Sequence, residues 1–308
     1  MSAVSNGSFR LFRVLGITVF LHWSWFIVAA WQLDQRSGVY PSLLWAGLEY
    51  LGLFLIVLLH EFGHALGCRQ VGGQAREILL WPLGGVAFVS PPNRPGPVLW
   101  SIAAGPLVNV ALIPVFHVAG MLVSGGSYAE MDSSLLQLID RLALINTVVL
   151  IFNLLPIYPL DGGQILRSLL WFVIGESRSL MVASVIGLLG GVAIIGLALW
   201  LQSIWIGIMA LFAIFQSWRG LQGSRLLSRY ERAPRHTHVA CPSCGGRPIR
   251  GDFWTCASCQ QAFDPFEHHG RCPHCGVRYT GFNCADCRTP HAYEEWEAGA
   301  AHPPQGRA

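Results

Sequence analysis

The chain has 308 residues, of which 12% are charged and 53% hydrophobic, and its formal net charge is +3. Charged residues are about half as frequent as in an ordinary soluble domain. That excludes a soluble globular enzyme and points to a membrane protein. The net charge by itself selects no partner; the placement of the charge does.

No signal-peptide cleavage pattern follows the N-terminal residues, so the first apolar run is expected to be retained. A membrane span needs about twenty mostly apolar residues. Six candidates follow in order: Thr18–Leu33, Leu43–Gly67, Val98–Val123, Leu135–Tyr158, Leu180–Leu201 and Ile204–Trp218. Only Gln202 and Ser203 separate the last two.

Arginines in short loops set the orientation. Arg10 and Arg13 precede the first candidate, and Arg69, Arg76 and Arg94 lie between the second and third. Arg167 and Arg178 lie between the fourth and fifth, and Arg219, Arg225 and Arg229 follow the sixth. The alternate loops hold Arg36 and Arg141. The expectation is six spans in the cytoplasmic membrane with both termini cytosolic.

The second span contains His60-Glu61-Phe62-Gly63-His64, an H-E-x-x-H pentad. Positions i and i+4 share a helix face, so both imidazoles can reach one zinc ion while Glu61 stands beside it as general base. A charged group in hydrocarbon costs about 2.5–3.5 kcal/mol on insertion scales, and a bound metal would offset that cost. A third ligand is needed. Cys68, four residues past His64, is one candidate, although its displacement along the helix makes convergence awkward and a packing role suits it too. Asp161 is the other, in the stretch NLLPIYPLDGG (Asn153 to Gly163), where two prolines break the end of the fourth span. Irregular backbone at membrane depth is tolerated where it is buried or lines a cavity. Pro-Leu-Asp-Gly would equally suit a plain exit turn.

Topology supplies an independent test. The second and fourth spans run in the same direction. At 1.5 Å per residue, His60 to Arg69 covers roughly 13 Å, so the pentad would sit about 10 Å below the cytosolic face. Asp161, just past the end of the fourth span, falls near the same depth.

With these residues in place, the stretch from about 8 to 218 resembles the site-2 proteases, the intramembrane zinc metalloprotease family. HEFGH and NLLPIYPLDGG carry the resemblance, with weaker matches at PLGGV (Pro82–Val86) and AAGPLVN (Ala103–Asn109). The resemblance implies Asp161 as third zinc ligand. It also implies that Asn153 holds the substrate or the oxyanion, and that the Gly84-Gly85 loop lies beside the substrate strand. The implied activity is hydrolysis of a peptide bond in or near a transmembrane segment of a membrane-anchored protein.

Eight of the nine cysteines form four C-x-x-C pairs: Cys241/Cys244, Cys256/Cys259, Cys272/Cys275 and Cys284/Cys287. Paired C-x-x-C at these intervals signals structural zinc, and a cytosolic setting disfavours disulfides. The first and third pairs read CPSCG and CPHCG, while the second and fourth each follow an aromatic residue. That repeat predicts two successive ribbons, with the first two pairs on one zinc and the last two on the other. The tail resembles a double zinc ribbon, a module that most often binds protein.

The expected architecture is an α-helical polytopic membrane protein of about six transmembrane helices with a small zinc-ribbon β module at its C-terminus. Its parts are a membrane domain over 1–218, a basic linker over 219–240, the ribbons over 241–289 and a disordered tail over 290–308. Three zinc ions are expected, one catalytic and two structural. The expected partners are a membrane-anchored protein substrate, the lipid bilayer and a cytosolic protein bound by the ribbons. Nucleic acid is not expected, because the Arg-rich linker suits a lipid-headgroup-facing segment. His22 and His117 are assigned no chemical role, and GLLGG (Gly187–Gly191) suits close helix packing.

Two other functions compete. One is a catalytically silent membrane adaptor that recruits a cytosolic protein through its ribbons, against which stand the intact His60, Glu61, His64 and Asp161. The other is a membrane metalloprotease that cuts at the cytosolic surface with Glu as third ligand, for which no E-x-x-x-[DN] helix follows the pentad.

Overall fold

The structure is a computed structural model and describes residues 7–36, 38, 40–81, 84–124, 133–287 and 289–301. The chain divides into two compact units, Met1–Arg225 and Leu226–Ala308.

The first unit opens with strands β1 (Ser8–Val14) and β2 (Ile17–His22), then a short helix α1 (Ser24–Gln35) and a long helix α2 (Leu43–Gln70). Strands β3 (Gln74–Trp81) and β4 (Gly84–Ser90) follow, then α3 (Pro95–Ser124), α4 (Ser133–Leu154), α5 (Asp161–Ile174), α6 (Glu176–Trp200) and α7 (Ile204–Arg232). Among the described residues five helices, α2, α3, α4, α6 and α7, are long and apolar enough to cross a membrane.

The candidate span Thr18–Leu33 is therefore corrected. Its first residues are strand β2, and α1 has 12 residues, about 18 Å of helix against a hydrocarbon core of about 30 Å. The cause is visible in the side chains. Ile17 and Val19 are fully buried and alternate with less buried neighbours, the period-2 pattern of a β-branched strand. β2 pairs antiparallel with β1 and parallel with β3, in register from Thr18↔Glu77 to Leu21↔Leu80. The sheet order is β1-β2-β3-β4, so β4 is an edge. Ile17, Val19, Ile78 and Leu80 pack with Leu58 and Ala65 of α2 to form the core between sheet and helix.

Helix α3 begins with Pro95, whose fixed φ and missing N–H suit a first turn. Helix α4 ends at Leu154, four residues short of the predicted limit, and a turn leads into α5, an element the hydropathy did not show. Between α6 and α7, Gln202 takes a left-handed φ of 50° and the Ser203 N–H bonds to Ala198 O. That closes α6 at the predicted place. Close packing does occur at GLLGG, where a Cβ on Gly187 would lie 2.3 Å from Ser217 Oγ and one on Gly191 2.5 Å from Ile214 Cγ1.

The division between the units falls inside α7, so the first part of the expected linker is helical. The second unit then forms two small antiparallel hairpins, β5 (Trp254–Thr255) with β6 (Ala262–Phe263) and β7 (Gly281–Asn283) with β8 (Pro290–Ala292). A last helix, α8 (Tyr293–Ala301), follows.

The expectation of disorder after Pro290 is thus corrected for Pro290–Ala301; residues 302–308 lie outside the described part. Strand β8 pairs with β7, and Trp296 of α8 is buried against Val239, Phe266 and Phe282. Ala240 N–H also bonds to Trp296 O at 2.9 Å. Replacing Trp296 by Ala should cost this unit about 3–5 kcal/mol, the usual range for truncating a buried aromatic. Limited proteolysis should then cut beyond Ala240 at protease levels that leave the parent chain intact; equal resistance would mean α8 is not part of the folded unit.

Candidate metal centre and the cysteine clusters

His60 and His64 lie one turn apart on the same face of α2, both buried, with Nε2 atoms 3.1 Å apart. Each ring is tied at its far nitrogen. His60 Nδ1 bonds to Asn109 Oδ1 at 2.5 Å, and His64 Nδ1 to the main-chain oxygen of Ser101 at 3.0 Å. Both acceptors come from α3. A proton held at Nδ1 leaves the Nε2 lone pairs free and facing one point.

Asp161 reaches that point from α5, its Oδ2 lying 3.0 Å from His60 Nε2 and 3.4 Å from His64 Nε2. That oxygen is buried and has no hydrogen-bond partner among the described residues. It is held there by a turn with no room for side chains. A Cβ on Gly162 would lie 2.3 Å from Leu154 O, and one on Gly163 2.4 Å from Tyr158 N. This is the physical content of Leu-Asp-Gly-Gly.

The donor set fits zinc. A tetrahedral site with arms of about 2.0–2.1 Å has edges of about 3.3 Å, and the three separations bracket that value. Imidazole nitrogen and carboxylate oxygen are also zinc's ordinary ligands. Glu61, beside the two histidines, belongs to the same compact group of ligating atoms. Gly85 lies against it so closely that a Cβ there would be 2.3 Å from Glu61 Cγ.

His60, Glu61, His64 and Asp161 all line one cavity of about 580 Å³. Gly84 and Gly85 of β4 and Asn153 of α4 line it too. Every candidate of the membrane half except Cys68 therefore meets in one place. Cys68 Sγ faces Gln74 O at 3.5 Å and packs under Gly73, away from the cavity. Pro82 and Leu83, the start of the PLGGV match, lie outside the described residues. His22 bonds to Ser24.

Four functional neighbours were not picked out by sequence reasoning: Ser101, Gly105, Asn109 and Asn146. The weak match AAGPLVN carried the signal for two of them. A Cβ on Gly105 would lie 2.3 Å from the His64 ring, and Asn109 is the acceptor for His60. Asn146 Nδ2 donates to Asn109 O at 2.9 Å, and Asn109 Nδ2 donates to Asn146 Oδ1 at 2.9 Å.

In the second unit the cysteines form two groups, and the pairing differs from the expected one. Cys241 and Cys244 join Cys284 and Cys287, while Cys256 and Cys259 join Cys272 and Cys275. Sulfurs of different pairs stand 3.6–3.7 Å apart. That rules out disulfides, whose S–S length is about 2.05 Å, and matches the edge of about 3.8 Å of a tetrahedron with 2.3 Å arms.

The arrangement is nested because the aromatic cores, which the CPxCG repeat does not report, decide it. Cys241 and Cys284 share a cluster with Phe266, Phe282 and Trp296. Cys256 and Cys272 share one with Phe263, and Tyr279 O–H donates to Cys256 Sγ at 3.1 Å.

Comparison with known proteins agrees with this geometry. The model of Peptidase family M50 matches residues 116–197. A zinc metalloprotease of Methanocaldococcus jannaschii is 35% identical over 182 residues, 59% of this chain and 51% of that protein. Rip3 of Mycobacterium tuberculosis is 30% identical over 176 residues, 54% of this chain and 44% of that protein. The solved site-2 protease from Methanocaldococcus jannaschii superposes with a TM-score of 0.51 at 29% identity, covering 70% of this chain and 95% of that one. This chain is similar to the site-2 proteases in sequence and fold. It spans about half the length of the curated relatives it matches.

The nested cysteine grouping has a direct consequence. With metal bound, Cys241→Ser should open Cys284 and Cys287 to a thiol reagent while Cys256, Cys259, Cys272 and Cys275 stay protected, as mapped by mass spectrometry. Release of Cys256 and Cys259 instead would restore the sequential pairing.

Proposed function

We propose that this chain is an intramembrane zinc metalloprotease that hydrolyses a peptide bond in or near a transmembrane segment of a membrane-anchored protein. The observation that carries the reading is the placement of Glu61 beside His60, His64 and Asp161 in an apolar-walled cavity edged by a free β-strand. The site-2 protease fold and the zinc metalloprotease relatives support it.

In this reading His60, His64 and Asp161 hold the metal. Bound zinc supplies Lewis-acid chemistry, polarising a carbonyl and lowering the pKa of water. Glu61 takes the proton of the attacking water and returns it to the leaving amine. Its neighbour Gly85, without a side chain, lets strand β4 come close to the carboxylate.

A helical substrate hides its carbonyls in hydrogen bonds, so it must be extended before it can be cut. The outer edge of β4 can hold it by adding a strand, and Asn153, on the cavity wall, can hold a substrate carbonyl. Helix-breaking residues in the substrate would lower the cost of unwinding.

The loop arginines orient the protein with Arg69, Arg76 and Arg94 on the cytosolic side of the cytoplasmic membrane. The second unit then lies in the cytosol, where its two four-cysteine groups hold structural zinc and its surface engages a protein partner.

Glu61→Gln should reduce cleavage of a single-span substrate about 10²–10⁴-fold, the usual contribution of a positioned acid–base group, with the metal retained. Asp161→Asn should lose both metal and activity. Full metal content in Asp161→Asn would remove Asp161 from the ligand set, unchanged cleavage by Glu61→Gln would remove Glu61 as the base, and no cleavage by the parent chain would leave the adaptor reading.

Metal analysis of the purified chain should give three zinc ions, and a chain ending at Arg225 should hold one. Equal zinc content in the two would refute structural zinc in the cysteine groups.

A further inference from the structure

We propose that Asn109 and Asn146 are positioning residues that decide which nitrogen of His60 carries its proton, and so keep the Nε2 lone pair free for the metal. The proposal rests on the reading of His60, His64 and Asp161 as zinc ligands.

The two imidazoles are oriented by different means. His64 Nδ1 faces a main-chain oxygen, Ser101 O, which can only accept. His60 Nδ1 faces a side-chain amide, and an amide can turn over. Rotated by half a turn, Asn109 would present N–H donors to His60 in place of Oδ1. His60 would then accept at Nδ1 and carry its proton at Nε2, the atom that faces His64 Nε2 and Asp161 Oδ2. A protonated Nε2 has no lone pair to give.

Asn146 removes that freedom. Its Nδ2 donates to the main-chain oxygen of Asn109, and its Oδ1 accepts from Asn109 Nδ2, both at 2.9 Å. The main-chain oxygen cannot change roles, so it fixes the amide of Asn146. Asn146 Oδ1 in turn claims the NH₂ of Asn109. Only Oδ1 of Asn109 is left for His60, which must therefore donate from Nδ1.

A polarity set by one backbone carbonyl of α3 thus passes through an amide on α4 and an amide on α3 to an imidazole on α2. Both asparagines are fully buried and His60 is nearly so. An amide turned the wrong way would set donor against donor in this buried site.

The test is a double-mutant cycle on the full chain in detergent, titrated with graded chelator and read by zinc released. The zinc absent from His60→Ala defines the site being measured. Asn109→Leu should weaken that site about 10–100-fold, the usual effect of losing a partner of a ligating histidine. Asn109→Asp should keep the affinity well above that of Asn109→Leu, because a carboxylate oxygen still accepts from Nδ1–H, although the other oxygen then faces Asn146 Oδ1 as acceptor against acceptor.

Asn146→Leu should weaken the site about tenfold, at the lower end of that range, in the Asn109 chain. In the Asn109→Asp chain it should cause no weakening, because a carboxylate has no wrong face to suppress and loses only an acceptor set against it. Equal weakening by Asn146→Leu in both backgrounds would assign Asn146 to helix packing and overturn the proposal. Weakening by Asn109→Asp as large as that by Asn109→Leu would overturn it too. If wild type and His60→Ala release the same zinc, the metal centre itself is refuted.

Discussion

A polar atom inside an apolar helix bundle needs a partner for each of its hydrogen bonds, and for the two histidines of α2 those partners come from one neighbour, α3. His60 takes Asn109 and His64 takes Ser101 O. That sets how near α3 must run. A Cβ on Gly63 would lie 2.5 Å from Ala104 O, one on Gly67 2.6 Å from Ala104 Cβ, and one on Gly105 2.3 Å from the His64 ring. Small residues at the crossing are the condition for the histidines to be satisfied, and the satisfied histidines are the condition for a shared point between the Nε2 atoms. The helices that pack against α3 inherit this constraint: α4 supplies Asn146, and α5 carries Asp161 to the same point.

The sheet answers a second constraint. A buried carboxylate must be held in place. Glu61 is held by the glycine strand laid over it. Strand β4 can lie there because β3 joins it to β2, whose Ile17 and Val19 anchor the sheet on α2 through Leu58 and Ala65. The glycines at Gly84 and Gly85 leave the cavity open at the place where Glu61 meets it. The segment read as a first membrane span thus builds the support for the strand that covers Glu61.

The parts of this arrangement legible in the sequence are those with a local period. H-E-x-x-H reports a helix face, C-x-x-C reports a knuckle, and twenty apolar residues report a membrane helix. Asp161 is 97 residues past His64. Topology could place it at the right depth, but only family likeness singled it out against Cys68. Ile17 to Leu21 is apolar enough to resemble the start of a span, and its period-2 burial emerges only once β3 lies beside it. Asn109 and Asn146 have meaning only as a pair across two helices, so no spacing rule could find them. The cysteine grouping failed for the same reason: the outer quartet is joined by Phe266, Phe282 and Trp296, which are distant in sequence from Cys241.

The two kinds of zinc site differ in what the protein supplies beforehand. In the membrane unit the imidazoles are already tied, so the metal site is arranged by hydrogen bonds among helices that pack for other reasons. In the second unit each C-x-x-C knuckle is closed locally, as by Cys241 N–H to Gly246 O and Gly245 N–H to Cys241 O. What brings two knuckles together is the metal and the aromatic residues packed beside it, and structural zinc in such modules supplies much of the folding free energy. The outer quartet shares its residues with the larger aromatic cluster, and the inner quartet with the smaller one. Metal binding and core formation in this unit are therefore the same event seen from two sides, whereas in the membrane unit the imidazoles are oriented by hydrogen bonds to α3 that involve no metal.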